Sequence, residues 1–149
     1  MTRIAAIFAS ALLLAGSAAA VEFKGFKLAP LDGGKEIRLD RCPTKRCLTV
    51  YVAPWCGYCR AATPVILEAR DRLKAKGITT RVIVGMAALD DVRDYAMVFG
   101  DAALLDPKGT LGVAGVPQLF LSDAKGRILR RASGVPDDVG LVESFALDR

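Results

Sequence analysis

The sequence predicts one α/β domain: a central mixed β-sheet flanked by helices on both faces, carrying a short N-terminal β-hairpin extension. Strand-like and helix-periodic stretches alternate through the second half, and turn signals mark a hairpin near each end. At 149 residues the chain is long enough for one domain and short for two. Its composition, 52% hydrophobic and 25% charged without repeats or low-complexity tracts, disfavours disorder, collagen and solenoids.

The first twenty residues read as an export signal. One positive charge, Arg3, precedes an apolar run from Ile4 to Ala15, and Gly16-Ser17-Ala18-Ala19-Ala20 supplies an Ala-x-Ala cleavage site. Cleavage is expected after Ala20, leaving Val21 to Arg149 as the domain. The alternative is an uncleaved membrane anchor, although the run is short against the roughly 20 residues of a span. Export places cysteines where disulfides persist. The net charge of +5 falls to +4 with Arg3 gone, a mild excess that suits solubility and not nucleic-acid binding.

The elements follow in order. Phe23 to Leu31 is strand-like and ends at the turn Asp32-Gly33-Gly34; Glu36 to Leu39 can return as the partner strand. A polar loop, Asp40 to Arg46, leads into Cys47 to Ala53, whose continuous apolar run suits a strand buried on both faces. Residues 56 to 76 are helical: Ala62, Val65, Ile66, Ala69 and Leu73 form one stripe, Pro64 should kink it and Gly77 should stop it. Ile78 to Val84 is a strand. Asp90 and Asp91 start a helix, through capping and the macrodipole, with Val92, Tyr95, Ala96 and Phe99 on its apolar face. Leu104-Leu105 is a short apolar segment before the turn Asp106-Pro107-Lys108-Gly109. Gln118 to Leu121 and Ile128 to Arg131 form a hairpin across Asp123 to Gly126. Pro136 opens a last helix with Leu141, Val142 and Phe145 inside.

The chain contains no histidine, which removes Ser–His and Cys–His nucleophile pairs and His-rich metal sites. Four cysteines remain. Trp55-Cys56-Gly57-Tyr58-Cys59 lies where a buried strand passes into a helix. Cys56 therefore sits at the first helical turn, where free N–H groups and the helix dipole stabilise a thiolate. Cys59, one turn on, faces back toward Cys56 and is more covered. The pattern suits an exposed nucleophile, Cys56, with a buried resolver, Cys59, exchanging disulfides through a mixed-disulfide intermediate. A structural disulfide and a metal hook are the other readings of the same pair.

Gly115-Val116-Pro117 directly precedes a strand. Proline can start a strand though not sit inside a central one, and its peptide bond can be cis. Together with Pro64 five residues beyond Cys59, these motifs resemble the thioredoxin superfamily. The stretches Phe26 to Gly33 and Leu104 to Gly109 resemble its exported TlpA-type members, so the likeness covers nearly all of residues 21–149. The resemblance implies the thioredoxin fold and a cis Val116–Pro117 bond packed on Cys56. It also implies a groove where Trp55, Gly57, Tyr58, Val116 and Pro117 meet substrate, which pairs with the Val116 backbone as an added strand. Two departures stand out. Thioredoxins carry a buried Asp six residues before the first Cys, where this chain has Val50. Many TlpA-type proteins place an acid just after the cis proline, where it has Gln118. The Gly57-Tyr58 dipeptide resembles the DsbC-type isomerases, whose separate dimerisation domain residues 21–46 are too few to supply.

Cys42 and Cys47 flank Pro43-Thr44-Lys45-Arg46. They suit a local structural disulfide, worth the low end of about 2–4 kcal/mol for so short a loop. The alternatives to that reading are an auxiliary redox pair with thiols acidified by Arg41, Lys45 and Arg46, a four-cysteine zinc site shared with Cys56 and Cys59, and two free thiols. The chain is thus expected to be an exported, periplasmic thiol–disulfide oxidoreductase, a monomer that reduces or isomerises protein disulfides and draws on a separate redox donor. No organic cofactor and no metal is implied, since the cysteines carry the electrons. Two rival classes use the same residues: a soft-metal module passing Cu(I), which copper titration of the reduced protein would reveal, and an interaction domain with inert cysteines, which Cys56 replacement would leave unchanged.

Overall fold

The computed structural model describes residues 21–147, so the expected export signal at residues 1–20 lies outside the described residues. Seven strands form one mixed sheet in the order β2-β1-β5-β4-β3-β6-β7. They are β1 (Lys27–Pro30), β2 (Ile37–Arg38), β3 (Arg46–Val52), β4 (Thr79–Gly85), β5 (Ala103–Asp106), β6 (Gln118–Asp123) and β7 (Ile128–Ser133). The helices are α1 (Gly57–Ala75), α2 (Leu89–Ala96) and α3 (Val139–Leu147). β3, β4 and β5 run parallel; β6 and β7 at one flank, and β1 and β2 at the other, are antiparallel. β3 is central and buried from Cys47 onward, as its unbroken apolar run requires.

One expectation is overturned. All three helices contribute to one core cluster, with Leu48, Val50 and Val52 of β3, Val82 and Val84 of β4, Ile66 and Leu73 of α1, Tyr95 of α2 and Val142 of α3. The other cluster holds Tyr51, Ile83, Leu104 and Phe120, and is covered by Phe23, Leu28, Leu39, Leu111 and Val113 from the N-terminal stretch and a loop, with no helix among the described residues. Handedness explains this. The crossovers β3-α1-β4 and β4-α2-β5 step across the sheet in the same direction, so right-handed connections put both helices on one face. The expected short segment at Leu104-Leu105 is the strand β5, paired to β4 and to β1.

Local details correct two further expectations. Pro64 lies inside α1 without ending it, and Thr63, beside it, donates its hydroxyl to the Cys59 carbonyl at 3.1 Å. The N-cap of α2 is Ala88, which makes no side-chain cap bond, so Asp90 and Asp91 act there through the macrodipole alone. The last helix begins at Val139 and not at Pro136; the Asp138 carboxylate accepts from the Gly140 N–H at 2.6 Å, and Leu141 is exposed while Val142 and Ala146 are buried.

Asp106, at the end of β5, is the only buried carboxylate among the described residues. It accepts from the Tyr51 hydroxyl at 2.8 Å, from the Thr110 N–H and hydroxyl at 2.8 and 2.6 Å, and from the Leu111 N–H at 3.1 Å. These bonds clamp the loop after β5 to the centre of the sheet. Burial first, and then the Asp106 carboxylate, push the Tyr51 phenol well above its ordinary value. A folded-state value above the unfolded one means that this contribution is intact below about pH 10 and is lost as pH rises further, because the unfolded phenol ionises first. Tyr51→Phe is therefore expected to flatten the alkaline fall in stability, as checked by denaturant midpoints from pH 8 to 11.

Candidate active site

β3 delivers the chain to the site. Pro54 and Trp55 follow its end, and Cys56 is the N-cap of α1, in extended backbone geometry. Cys56 and Cys59 are disulfide-bonded, with Cα atoms 5.2 Å apart. The Cys59 N–H points at Cys56 Sγ at 3.1 Å, the position of an N-cap acceptor. The first turn of α1 carries no acidic residue, so nothing there opposes negative charge on Cys56. Once the pair is reduced, the same N–H and the helix dipole favour a Cys56 thiolate.

Cys59 is 0% exposed and Cys56 5%. The expected order of access holds, but Cys56 is itself nearly buried and is not openly exposed. The rim is what projects: Trp55 is 64% and Tyr58 85% exposed. Trp55 is fixed, since its Nε1–H donates to the Met86 carbonyl at 2.7 Å. Met86 takes a positive φ of 56°, a conformation rare for a side chain of its size, and thereby offers that carbonyl. Arg60 donates from Nε to the Pro54 carbonyl at 2.7 Å and stacks 4.9 Å over the Tyr95 ring, locking the strand–helix junction from behind.

The Val116–Pro117 bond is cis, and Cys56 Sγ lies 3.8 Å from the Val116 carbonyl oxygen. Tyr58, Val116 and Pro117 share a groove of about 670 Å³ whose far wall is Val135 and Pro136. Trp55 lies outside it, lining a smaller recess with Arg60, Asp91, Asp94 and Tyr95. An ideal Cβ at Gly57 would meet nothing within 4 Å, so this position faces open space. The rear wall was missed in the sequence because Pro136 reads equally well as a helix start.

Among the described residues Cys59 has no internal carboxylate to take its proton. Val50 sits in the apolar core and Gln118 is neutral, while Asp106 is consumed by the loop clamp. Cys42 and Cys47 form the second disulfide, with Cα atoms 5.8 Å apart. Cys47 is the second residue of β3, whereas Cys56 follows its end, so a strand length of about 17 Å separates the two ends at the roughly 3.3 Å rise of a strand residue. A four-cysteine zinc site is thereby excluded.

No family model matches the chain. It is 32% identical over 127 residues to the thiol:disulfide interchange protein DsbE of Pseudomonas fluorescens, covering 78% of this chain and 67% of that protein. To the thiol:disulfide interchange protein DsbE homolog of Paracoccus denitrificans it is 35% identical over 91 residues, 58% of this chain and half the length of that relative. Among solved structures, the Chlorobium tepidum protein described as DsbE superposes with a TM-score of 0.65 at 28% identity, over 80% of this chain and 88% of that one. The exposed lipoprotein thioredoxin Etrx1 of Streptococcus pneumoniae gives 0.66 at 21% identity, over 80% and 96%. The second of these likenesses shows the thioredoxin fold alone.

Proposed function

The chain belongs to the DsbE family of thiol:disulfide interchange proteins, within the thioredoxin superfamily, and from that premise we propose that it is an exported thiol–disulfide oxidoreductase that reduces protein disulfides. The observation that carries this reading is the placing of Cys56 Sγ: it caps α1, accepts the Cys59 N–H, and lies 3.8 Å from the Val116 carbonyl ahead of the cis proline. An extended substrate segment laid in the groove beside Val116 brings its disulfide to that sulfur. The Cys56 thiolate attacks one substrate sulfur and the other leaves as a thiolate. Cys59 then attacks Cys56 Sγ, releasing reduced substrate and restoring the disulfide, which a separate dithiol donor must reduce again. Tyr58, Val116 and Pro117 bind substrate; Trp55 and Gly57 shape the rim. The apolar run and small-residue cleavage site at residues 1–20 support export, with residues 21–149 as the thioredoxin-like domain. Among the described residues no helix is long and apolar enough to cross a membrane.

Equilibration of the mature chain with graded dithiol–disulfide buffers tests the direction of flow. A reductase is expected near the thioredoxin end, about −270 mV; a value near the DsbA end, about −120 mV, would make it an oxidase or isomerase instead.

A further inference from the structure

The second disulfide repeats the asymmetry of the first, at the other end of β3. Cys42 is partly exposed and Cys47 is fully buried. Cys42 lines the floor of a cleft of about 950 Å³. Six cations line that cleft, Lys24, Arg38, Arg41, Lys125, Arg127 and Arg131, against the two carboxylates Glu22 and Asp40. Asp40 is taken by Arg38 at 2.7 Å, and Arg127 by Asp123 at 2.9 Å. Lys24, Lys125 and Arg131 make no salt bridge among the described residues. The cleft is therefore a net positive basin around one sulfur.

Behind that sulfur the sheet holds polar groups that the oxidised protein does not use. Ser122 stands directly opposite Cys47 in the β3–β6 register, and Thr49 is two residues along β3 on the same face. Both hydroxyls are buried and without a hydrogen-bond partner. Arg81, directly opposite Thr49, is a buried cation that donates to the carbonyls of Leu39 and Arg41, holding the chain that leads to Cys42. A disulfide sulfur accepts hydrogen bonds weakly, whereas a thiolate accepts them strongly. Two idle donors on the face of Cys47, with the Arg81 guanidinium opposite Thr49 on that same face, are suited to a sulfur that becomes charged.

We propose that Cys42–Cys47 is a second exchangeable disulfide, opened from the cationic cleft by a small thiol that carries carboxylate groups. The thiolate of that molecule attacks Cys42 Sγ; the Cys42–Cys47 bond breaks and Cys47 leaves as a thiolate, received by Ser122 and Thr49. A second thiol attacks the mixed disulfide on Cys42, giving the small-molecule disulfide and a protein dithiol, with two electrons transferred.

Glutathione, a tripeptide thiol with two carboxylates, is the anionic probe, and cysteamine, a cationic thiol, its counterpart. The full mature chain is incubated with each, quenched by alkylation, and the Cys42 and Cys47 peptides are followed by mass spectrometry apart from those of Cys56 and Cys59. Per thiolate, glutathione is expected to open Cys42–Cys47 at least tenfold faster than cysteamine. That preference should fall several-fold in 0.5 M salt and in Arg41→Gln/Lys125→Gln. At a fixed glutathione ratio, Ser122→Ala should lower the dithiol fraction at this pair several-fold while leaving Cys56–Cys59 unmoved. Equal rates with the two thiols, or a Cys42–Cys47 bond that stays closed in the native chain while Cys56–Cys59 equilibrates, would overturn the proposal and leave a static staple. Neither outcome bears on the Cys56 site, because each pair is read on its own peptides.

Discussion

Cys56→Ser is expected to abolish disulfide turnover, by on the order of a thousandfold or more, the scale for loss of a covalent nucleophile. Cys59→Ser is expected to behave differently: it should stop turnover yet accumulate covalent adducts between Cys56 and its substrates. The distinction comes from burial and geometry. Only Cys56 reaches the surface, and only Cys56 is capped by the Cys59 N–H and set beside Val116. The backbone N–H of residue 59 survives the serine substitution, so the attacking thiolate keeps its stabilisation while the resolving sulfur is gone. Non-reducing electrophoresis and mass spectrometry after incubation with a disulfide-bonded substrate check this. Absence of any Cys56 adduct in Cys59→Ser would remove the assigned roles. In the parent chain, resolution should quicken as pH rises through the ordinary thiol range, since no buried carboxylate stands ready to take the Cys59 proton.

A large effect on stability is expected at Gly85→Ala, at the end of β4 beside Met86, whose carbonyl holds Trp55. A Cβ at this position would fall within contact distance of the Tyr51 hydroxyl and the Asp106 carbonyl oxygen, and 2.9 Å from Tyr51 Cζ. The Asp106 oxygen is backbone, fixed by the pairing of β4 with β5, and Tyr51 is completely buried, so neither can step aside. Overpacking of this kind costs about 3 kcal/mol or more, which for a domain of this size lowers Tm by roughly 10 °C. Removing the phenolic oxygen relieves part of the clash, so Tyr51→Phe should recover some of the loss in Gly85→Ala although it is destabilising by itself. Thermal unfolding of the four members of this cycle measures the coupling. Strictly additive losses would mean that Gly85 does not make room for Tyr51.

Much of the site was legible because it rests on local rules. A run such as Leu48 to Val52 can only be buried on both faces, and a Cys placed where that strand meets a helix must become its N-cap. The parts that escaped depend on long-range partners. Strand β5 is four residues long and buried throughout, so it shows no alternation to betray it. The side of the sheet that each helix covers follows from the strand order, which local patterning does not contain. The burial of Arg81 and Asp106 follows only from segments that fold over them, and Val135 joins Tyr58 in the groove across more than seventy residues.

The face of the sheet that the described helices leave uncovered has a consequence for biogenesis. Its aromatic seal is Phe23, fully inside and edge-on to Phe120 with ring centroids 5.6 Å apart. Under the proposed cleavage after Ala20, only Val21 and Glu22 would stand ahead of it. Maturation and stability would then be tied together: a peptidase that trimmed three residues too many would pull the plug from the interior and leave the hydrophobic lining open to water.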